Sequence, residues 1–291
     1  MKRELIVQRD PKSPISEVFR TLRTNIQFMN AKNNLKTVLI TSTMPGEGKS
    51  WVSSNLAVTF AQAGKKVILV DADMRKGRQY SIFGETPRPG LSNYLSGVGF
   101  EEDAADSNGI YNYIRETEID NLYLIVAGDI PPNPSELLSS SQMIDLLQKL
   151  KEEFDVVIVD GTPSQLVTDA LILARLVDST VVVTASKQTK KEDLKKIVNN
   201  IKNIGGDISG IIVNKIPISP KKYEQSYYYG SKTIRSKTIK SKKVSSLKNI
   251  ENDELPKALN KNIEIENKEE ISEEKTNEIF QQINEYMDSK K

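Results

Sequence analysis

Between residues 37 and 63 the chain reads as strand, glycine-rich turn, helix, and few folds accept that order. Thr37–Ser42 is a short apolar run of the kind that forms a buried strand. Val52, Leu56, Phe60 and Ala63 then recur at helical spacing over residues 50–63, with Gly64 placed to close the helix. Between the two lies Met44-Pro45-Gly46-Glu47-Gly48-Lys49-Ser50. Each part of this loop has a physical task. Glycines let backbone N–H groups turn inward around phosphate oxygens, and the following helix directs the positive end of its dipole at the same point. Lys49 sets a charge against the terminal phosphates, and the Ser50 hydroxyl is placed to ligate Mg²⁺. The usual pattern opens on glycine at position 43, where this chain has Thr43. The strand–loop–helix context predicts a site for ATP and Mg²⁺.

The rest of the chain repeats the alternation. Val67–Asp71, 122–126, 156–160, 180–184 and 210–214 read as strands. Ile15, Val18, Phe19, Leu22, Ile26 and Met29 mark a helix behind Ser13-Pro14. Pro131-Pro132-Asn133-Pro134 feeds another helix through Ile144, Leu147 and Leu150. Leu194, Ile197, Val198, Ile201 and Ile204 mark a third, closed by Gly205-Gly206. Apolar strands alternating with amphipathic helices predict an α/β fold: a mostly parallel sheet with helices on both faces, followed by a disordered C-terminal tail. The expected organisation is a helical region over 1–34, a phosphate-loop domain over 35–218, a tyrosine cluster over 219–230 and a polar tail over 231–291. In that tail, Ile279, Phe280, Ile283, Tyr286 and Met287 form one more helical stripe, which docks either on the chain's own core or on a partner.

Composition narrows the chemistry. The chain has no Cys and no His, so disulfides, thiolate nucleophiles, a Ser-His-Asp triad and a His-bound zinc are excluded. Acid–base work falls to carboxylates, Lys or Tyr. A net charge of +2 gives no global pull toward nucleic acid. Residues 1–10 are charged rather than apolar, and the longest apolar runs are strand-sized. The expectation is a cytoplasmic protein that a partner would bring to the inner face of the membrane.

Carboxylates gather where ligands bind in such sheets, at the carboxyl ends of strands. Asp71 ends one strand, Asp73 lies just beyond it, and Asp160 ends another. Acids so placed hold Mg²⁺ and its waters beside a phosphate loop. Separately, Tyr223, Tyr227, Tyr228 and Tyr229 stand within seven residues after the last strand, in a chain with only 6% aromatics. A basic block follows, from Lys232 to Lys248.

Thr41-Ser42-Thr43-Met44-Pro45-Gly46-Glu47-Gly48-Lys49-Ser50, with Val70-Asp71-Ala72-Asp73-Met74-Arg75-Lys76, resembles the bacterial tyrosine kinases that control capsule and exopolysaccharide synthesis. The resemblance extends over about residues 12–230, through Asn133-Pro134-Ser135-Glu136-Leu137-Leu138, Val167-Thr168-Asp169-Ala170 and the tyrosine cluster. It implies that residues 45–51 and Asn214 contact nucleotide, Asn214 at the adenine. It implies Lys49, Asp71 and Asp73 as catalytic residues, with Asp71 the general base, and a metal shell of Ser50, Asp71, Asp73 and Asp160. It implies that Glu17, Arg20 and Arg23 lie on an oligomerisation helix, and that the four tyrosines are phosphorylated between subunits of a ring. The implied partners are a transmembrane polysaccharide co-polymerase-type adaptor, tyrosine-bearing protein substrates and a cognate phosphatase. Trp51 departs from the family, which commonly has a small hydroxyl residue there; the indole is expected beside the ribose or the sheet. Gly161-Thr162-Pro163 replaces the more usual Thr-Pro-Pro.

Two other readings share the fold. Partition and septum-positioning ATPases carry a signature lysine five positions before the loop lysine, where this chain has Met44. A nucleotide-sensing regulator with little catalysis draws its support from Trp51.

Overall fold

The computed structural model describes residues 4–33, 35–97 and 109–217. The tyrosine cluster, the basic block and the expected terminal helix lie outside the described residues. The chain opens with α1 (Ile6–Arg9) and α2 (Pro14–Asn33). β1 (Thr37–Ser42) leads through the glycine loop into α3 (Lys49–Ala61), and β2 (Val67–Asp71) follows. Two short helices, α4 (Gln79–Phe83) and α5 (Leu91–Ser96), precede β3 (Arg115–Glu116) and β4 (Leu122–Ile125). Then come α6 (Pro134–Leu138), α7 (Ser141–Glu153), β5 (Val156–Pro163), α8 (Asp169–Leu176), β6 (Ser179–Ala185), α9 (Lys191–Asn203) and β7 (Ile208–Asn214).

The strands form one sheet in the order β3-β4-β2-β5-β1-β6-β7. It is parallel throughout except for β3, which runs antiparallel to β4. β5 lies between β1 and β2, and its register sets Asp160 opposite Asp71. The phosphate loop after β1 and the acids ending β2 and β5 therefore share one edge of the sheet, at the carboxyl ends of adjacent strands.

The unbroken apolar runs are explained by two separate cores. Val38 and Ile40, Val67 and Leu69, Val156 and Ile158, and Val181 and Val183 pack on one face with α1 to α4. Leu39, Ile68, Val70, Val157, Val159 and Val182 point the other way, toward α5, α7, α8 and α9. Side chains alternate along a strand, so a strand covered on both sides must be apolar at every position.

Four helical expectations change on inspection. The helix after the loop is not amphipathic: from Val52 to Ala61 every side chain is buried, polar Ser53, Ser54, Asn55 and Thr59 included. It lies between the sheet and α1–α2, so it has no solvent face. On α2, Phe19 and Ile26 are buried, but Val18 is 65% exposed and is not part of the core stripe. The expected helix from Pro134 onward is broken into α6 and α7, because Ser140 adopts an extended conformation and its hydroxyl accepts from Met143 N at 3.3 Å. On α7 the buried set is Met143, Leu146, Leu147 and Leu150, and Ile144 faces outward. Finally, α1 was not expected. The charged residues around it in sequence mask Leu5 and Val7, which are both buried, while Asn55 of α3 accepts from Val7 N (3.1 Å) and donates to Glu4 O (2.9 Å).

Candidate active site

Local sequence builds the loop before any ligand arrives. Gly48 has φ +99°, and a Cβ there would collide with the Asn214 amide. Asn214 Nδ2 donates to Glu47 O at 2.8 Å, and its Oδ1 accepts from Lys215 N at 2.8 Å. Asn214, expected at the adenine, thus braces the loop from the end of β7. Glu47 turns its carboxylate inward, accepting from Met44 N (2.8 Å) and from the Thr189 hydroxyl. Any phosphate contact of Glu47 is left to its backbone N–H. Trp51 packs edge-to-face on Phe19 of α2, ring centres 5.1 Å apart, rather than on the sheet.

In front of the loop is a cavity of about 310 Å³. Gly46, Lys49, Ser50 and Asp73 give it a polar side; Pro163 and Leu166 belong to an apolar one. Lys49 Nζ donates to Asp73 Oδ2 at 2.8 Å and lies 3.9 Å from Asp160 Oδ1. Burial pulls the ammonium pKa down, but the Asp160 and Asp73 charges outweigh it and hold it above its ordinary value. Asp71 is fully buried behind Asp73. It accepts from Gln79 N (2.9 Å) and Asp73 N (3.3 Å). Burial first, and then the Asp160 charge beside it, push its pKa up to about 8. Burial raises Asp160 as well, against the pull of Lys49.

The residues present suit a magnesium nucleotide. Asp160 Oδ1 is buried with no hydrogen-bond partner, and Lys49 is the nearby cation. Among the described residues no three carboxylates form a direct metal-ligand group. Asp71, Asp73 and Asp160 therefore do not converge as a ligand set of their own. Mg²⁺ keeps several waters and takes one or two protein ligands beside phosphate oxygens, which matches Ser50 with acids facing the water shell.

Two elements were not legible in the sequence. Gln79 is buried and its Nε2 reaches Asp160 Oδ2 (2.8 Å), Ser53 Oγ (3.0 Å) and Ser50 O (3.1 Å), tying the loop to the acids. Nothing in its local pattern marks it. The second is an ion pair joining three of the motifs quoted above. Arg75 Nε and Nη2 donate to the Asp169 carboxylate at 2.7 and 3.1 Å, and Ser135 Oγ donates to it at 2.6 Å. Asp169 is fully buried, so removing its charge leaves Arg75 and Ser135 without an acceptor of matching shape. Asp169→Asn is expected to lower the unfolding free energy by about 2–3 kcal/mol, read from urea denaturation.

On α2, Glu17 and Arg20 pair with each other, and Arg20 Nη2 also donates to Pro11 O at 2.7 Å. Arg23 Nη1 donates to Thr59 O at 3.1 Å, which ties α2 to the end of α3 within one chain.

Residues 20–212 match the family model described as AAA domain. The putative tyrosine-protein kinase CapB of Staphylococcus aureus is 41% identical over 226 residues, 78% of this chain and 95% of that protein. The chain belongs to the bacterial tyrosine kinases. Tyrosine-protein kinase YwqD of Bacillus subtilis (strain 168) is 39% identical over 232 residues, covering 80% of this chain and 93% of that one. The crystal structure of the chimerical protein CapA2B2 superposes with a TM-score of 0.67 at 39% identity, over 74% of this chain and 91% of the other. As a bacterial tyrosine kinase, the chain is a nucleotide-binding protein-tyrosine phosphotransferase built on a phosphate-loop fold, with none of the His-Arg-Asp loop of eukaryotic kinases. No described helix of this kinase is long and apolar enough to cross a membrane.

Proposed function

We propose that this kinase transfers the terminal phosphoryl group of ATP to Tyr223, Tyr227, Tyr228 and Tyr229 of a neighbouring copy, and that this cycle regulates capsule or exopolysaccharide synthesis or export. The observation that carries the reading is the Lys49–Asp73 contact of 2.8 Å at the mouth of a cavity whose other side is apolar. Lys49 marks the place of the terminal phosphates, and the apolar side suits a phenol ring.

The phenol oxygen attacks the γ-phosphorus, the bond from that phosphorus to the β–γ bridging oxygen breaks, and ADP leaves with the electron pair. The phenol proton goes to Asp71. A phenol has a pKa of about 10, and a base works best with a pKa near the working pH. Asp71, at about 8, meets that need, while Asp73 is engaged directly by the Lys49 ammonium. Ser50 would hold the magnesium ion, whose charge offsets that building on the phosphates, while Asp73 and Asp160 face its waters. The loop backbone from Pro45 to Trp51 cradles the phosphates, and Asn214 fixes the loop edge beside the adenine.

Intermolecular transfer calls for self-association, for which α2 supplies the surface through Glu17, Arg20 and Arg23. Changing Arg20 and Arg23 to Ala is expected to convert the assembly to monomer in light scattering. Because Arg23 also holds Thr59 O, Arg20→Ala alone is the cleaner variant; an intact ring in that variant counts against α2 as the contact. The remaining partners in this reading are a transmembrane polysaccharide co-polymerase-type adaptor, which would bring the kinase to the inner face of the membrane, protein-tyrosine substrates and a cognate phosphatase.

Incubation of the full chain with Mg-ATP, followed by phosphotyrosine mass spectrometry, tests the reading. Phosphate on residues 223–229 supports it. Release of phosphate without phosphotyrosine would make the protein an ATPase, and neither product would leave a nucleotide sensor. Met44 at the position of the partition-type signature lysine speaks for the kinase.

A further inference from the structure

A second cavity, of about 320 Å³, shares Arg75 and Lys76 with the one in front of the phosphate loop. That volume is within the usual range for a small-ligand pocket, about 300–1,000 Å³. Its lining combines an apolar part, Met74, Tyr80 and Ala127, with three cations, Arg75, Lys76 and Arg88, and one carboxylate, Asp129. Arg75 is committed to Asp169. Arg88 pairs with Asp129 through Nη1 alone, at 3.2 Å. Among the described residues the Lys76 ammonium has no ion-pair partner, and only its backbone N–H is engaged, by Asp73. Gly77 also lines this cavity, and a Cβ there would lie 2.9 Å from Asp71 Oδ2. Gly77 therefore stands between the second cavity and Asp71, the residue assigned as base.

An apolar lining for a ring, with cations beside it, is the chemistry of a phosphorylated phenol. Phosphotyrosine carries a charge of about −1.5 to −2 and three strong acceptor oxygens. In an extended segment, residues i and i+2 point to the same side and are roughly 6.5 Å apart. Tyr227 and Tyr229 have that spacing. We propose that this cavity binds a phosphotyrosine two residues away from the tyrosine being phosphorylated, so that one phosphorylation primes the next. The proposal rests on the tyrosine-kinase reading and adds a phosphotyrosine subsite to it. Its consequence is an ordered filling of the cluster in place of independent events.

The test uses the full chain with Tyr223, Tyr227, Tyr228 and Tyr229 changed to Phe, so that its own tail accepts no phosphate. Two peptides spanning residues 222–231 carry Tyr229 as the one acceptor, with Phe at 223 and 228. One has phosphotyrosine at 227 and the other Phe. A KM about tenfold lower for the primed peptide at unchanged kcat is expected, the worth of one or two charge-assisted hydrogen bonds. Arg88→Ala should raise the primed KM to the unprimed value and leave the unprimed peptide's kinetics unchanged. An unchanged ADP affinity shows that the variant is folded. Equal KM values in the parent chain overturn the proposal. So does an advantage that survives Lys76→Ala combined with Arg88→Ala. Equal damage to both peptides also overturns it, since the cavity would then seat the acceptor ring. If neither peptide takes phosphate, the kinase reading is at fault, and calorimetry with the same peptides decides the subsite. Tighter, Arg88-dependent binding of the primed peptide supports it, and equal binding refutes it.

Discussion

Changing Lys49 to Met is expected to cut phosphotyrosine formation by about 10³-fold or more, the scale of losing a principal charge that stabilises the transferring group. The effect should fall mainly on kcat, because the loop's backbone N–H groups still hold the phosphates. Stability should respond as well. Lys49 is the cation nearest Asp160, whose side chain is 0% exposed. Without it, burial of Asp160 loses its largest counterweight and favours the protonated form further. The unfolded chain ionises this acid at ordinary pH values, so the variant should match the parent near pH 4 and lose ground as pH rises. Thermal melts of the nucleotide-free protein across that range measure the difference. A variant that still labels its own tyrosines at the parent rate would remove Lys49 from the mechanism.

Asp71→Asn is expected to lower kcat by about 10²–10⁴, the usual worth of a positioned general base. It also carries a sign that separates it from a structural lesion. In the nucleotide- and metal-free protein the Asp71 pKa stands near 8 against an ordinary 3.8. An acid whose pKa is raised on folding contributes fully below its unfolded value, and that contribution is lost as pH climbs through the folded value. The parent should therefore lose stability between about pH 4 and pH 8, and Asn, which cannot ionise, should flatten that slope. The activity lost and the melting temperature gained at pH 8 then appear in the same variant. In the parent, kcat/KM should rise through the neutral range toward pH 8. A flat profile would remove Asp71 from the role of base.

The phosphate site was legible because its chemistry is written locally. Gly46, Gly48, Lys49 and Ser50 are contiguous, and a strand ending in Asp71 needs no knowledge of its neighbours. The sheet was legible for the same reason, since a strand covered on both faces is apolar at every position. What sequence concealed depends on meetings between distant segments. Arg75, Ser135 and Asp169 are 34 to 94 residues apart, and only the fold shows that three separately recognised motifs form one ion-paired junction. Gln79 has an ordinary neighbourhood and acquires its role from Asp71 and Asp160 beside it. α3 misled because helical periodicity reports a solvent face only where one exists. Here α1 and α2 cover it, and buried Ser53, Ser54, Asn55 and Thr59 keep their polar atoms satisfied within and across helices. Asn214 stands at the end of β7 with its amide engaged by the loop itself, a contact between segments 167 residues apart.

Trp51 is the chain's single tryptophan, one position after Ser50, with its ring against Phe19 of α2. The molecule thus carries one native fluorophore at the joint between the phosphate-loop cavity and α2. Its emission wavelength and quenching should register both occupancy of the pocket and separation of the helix, so titrations and stopped-flow records need no attached dye.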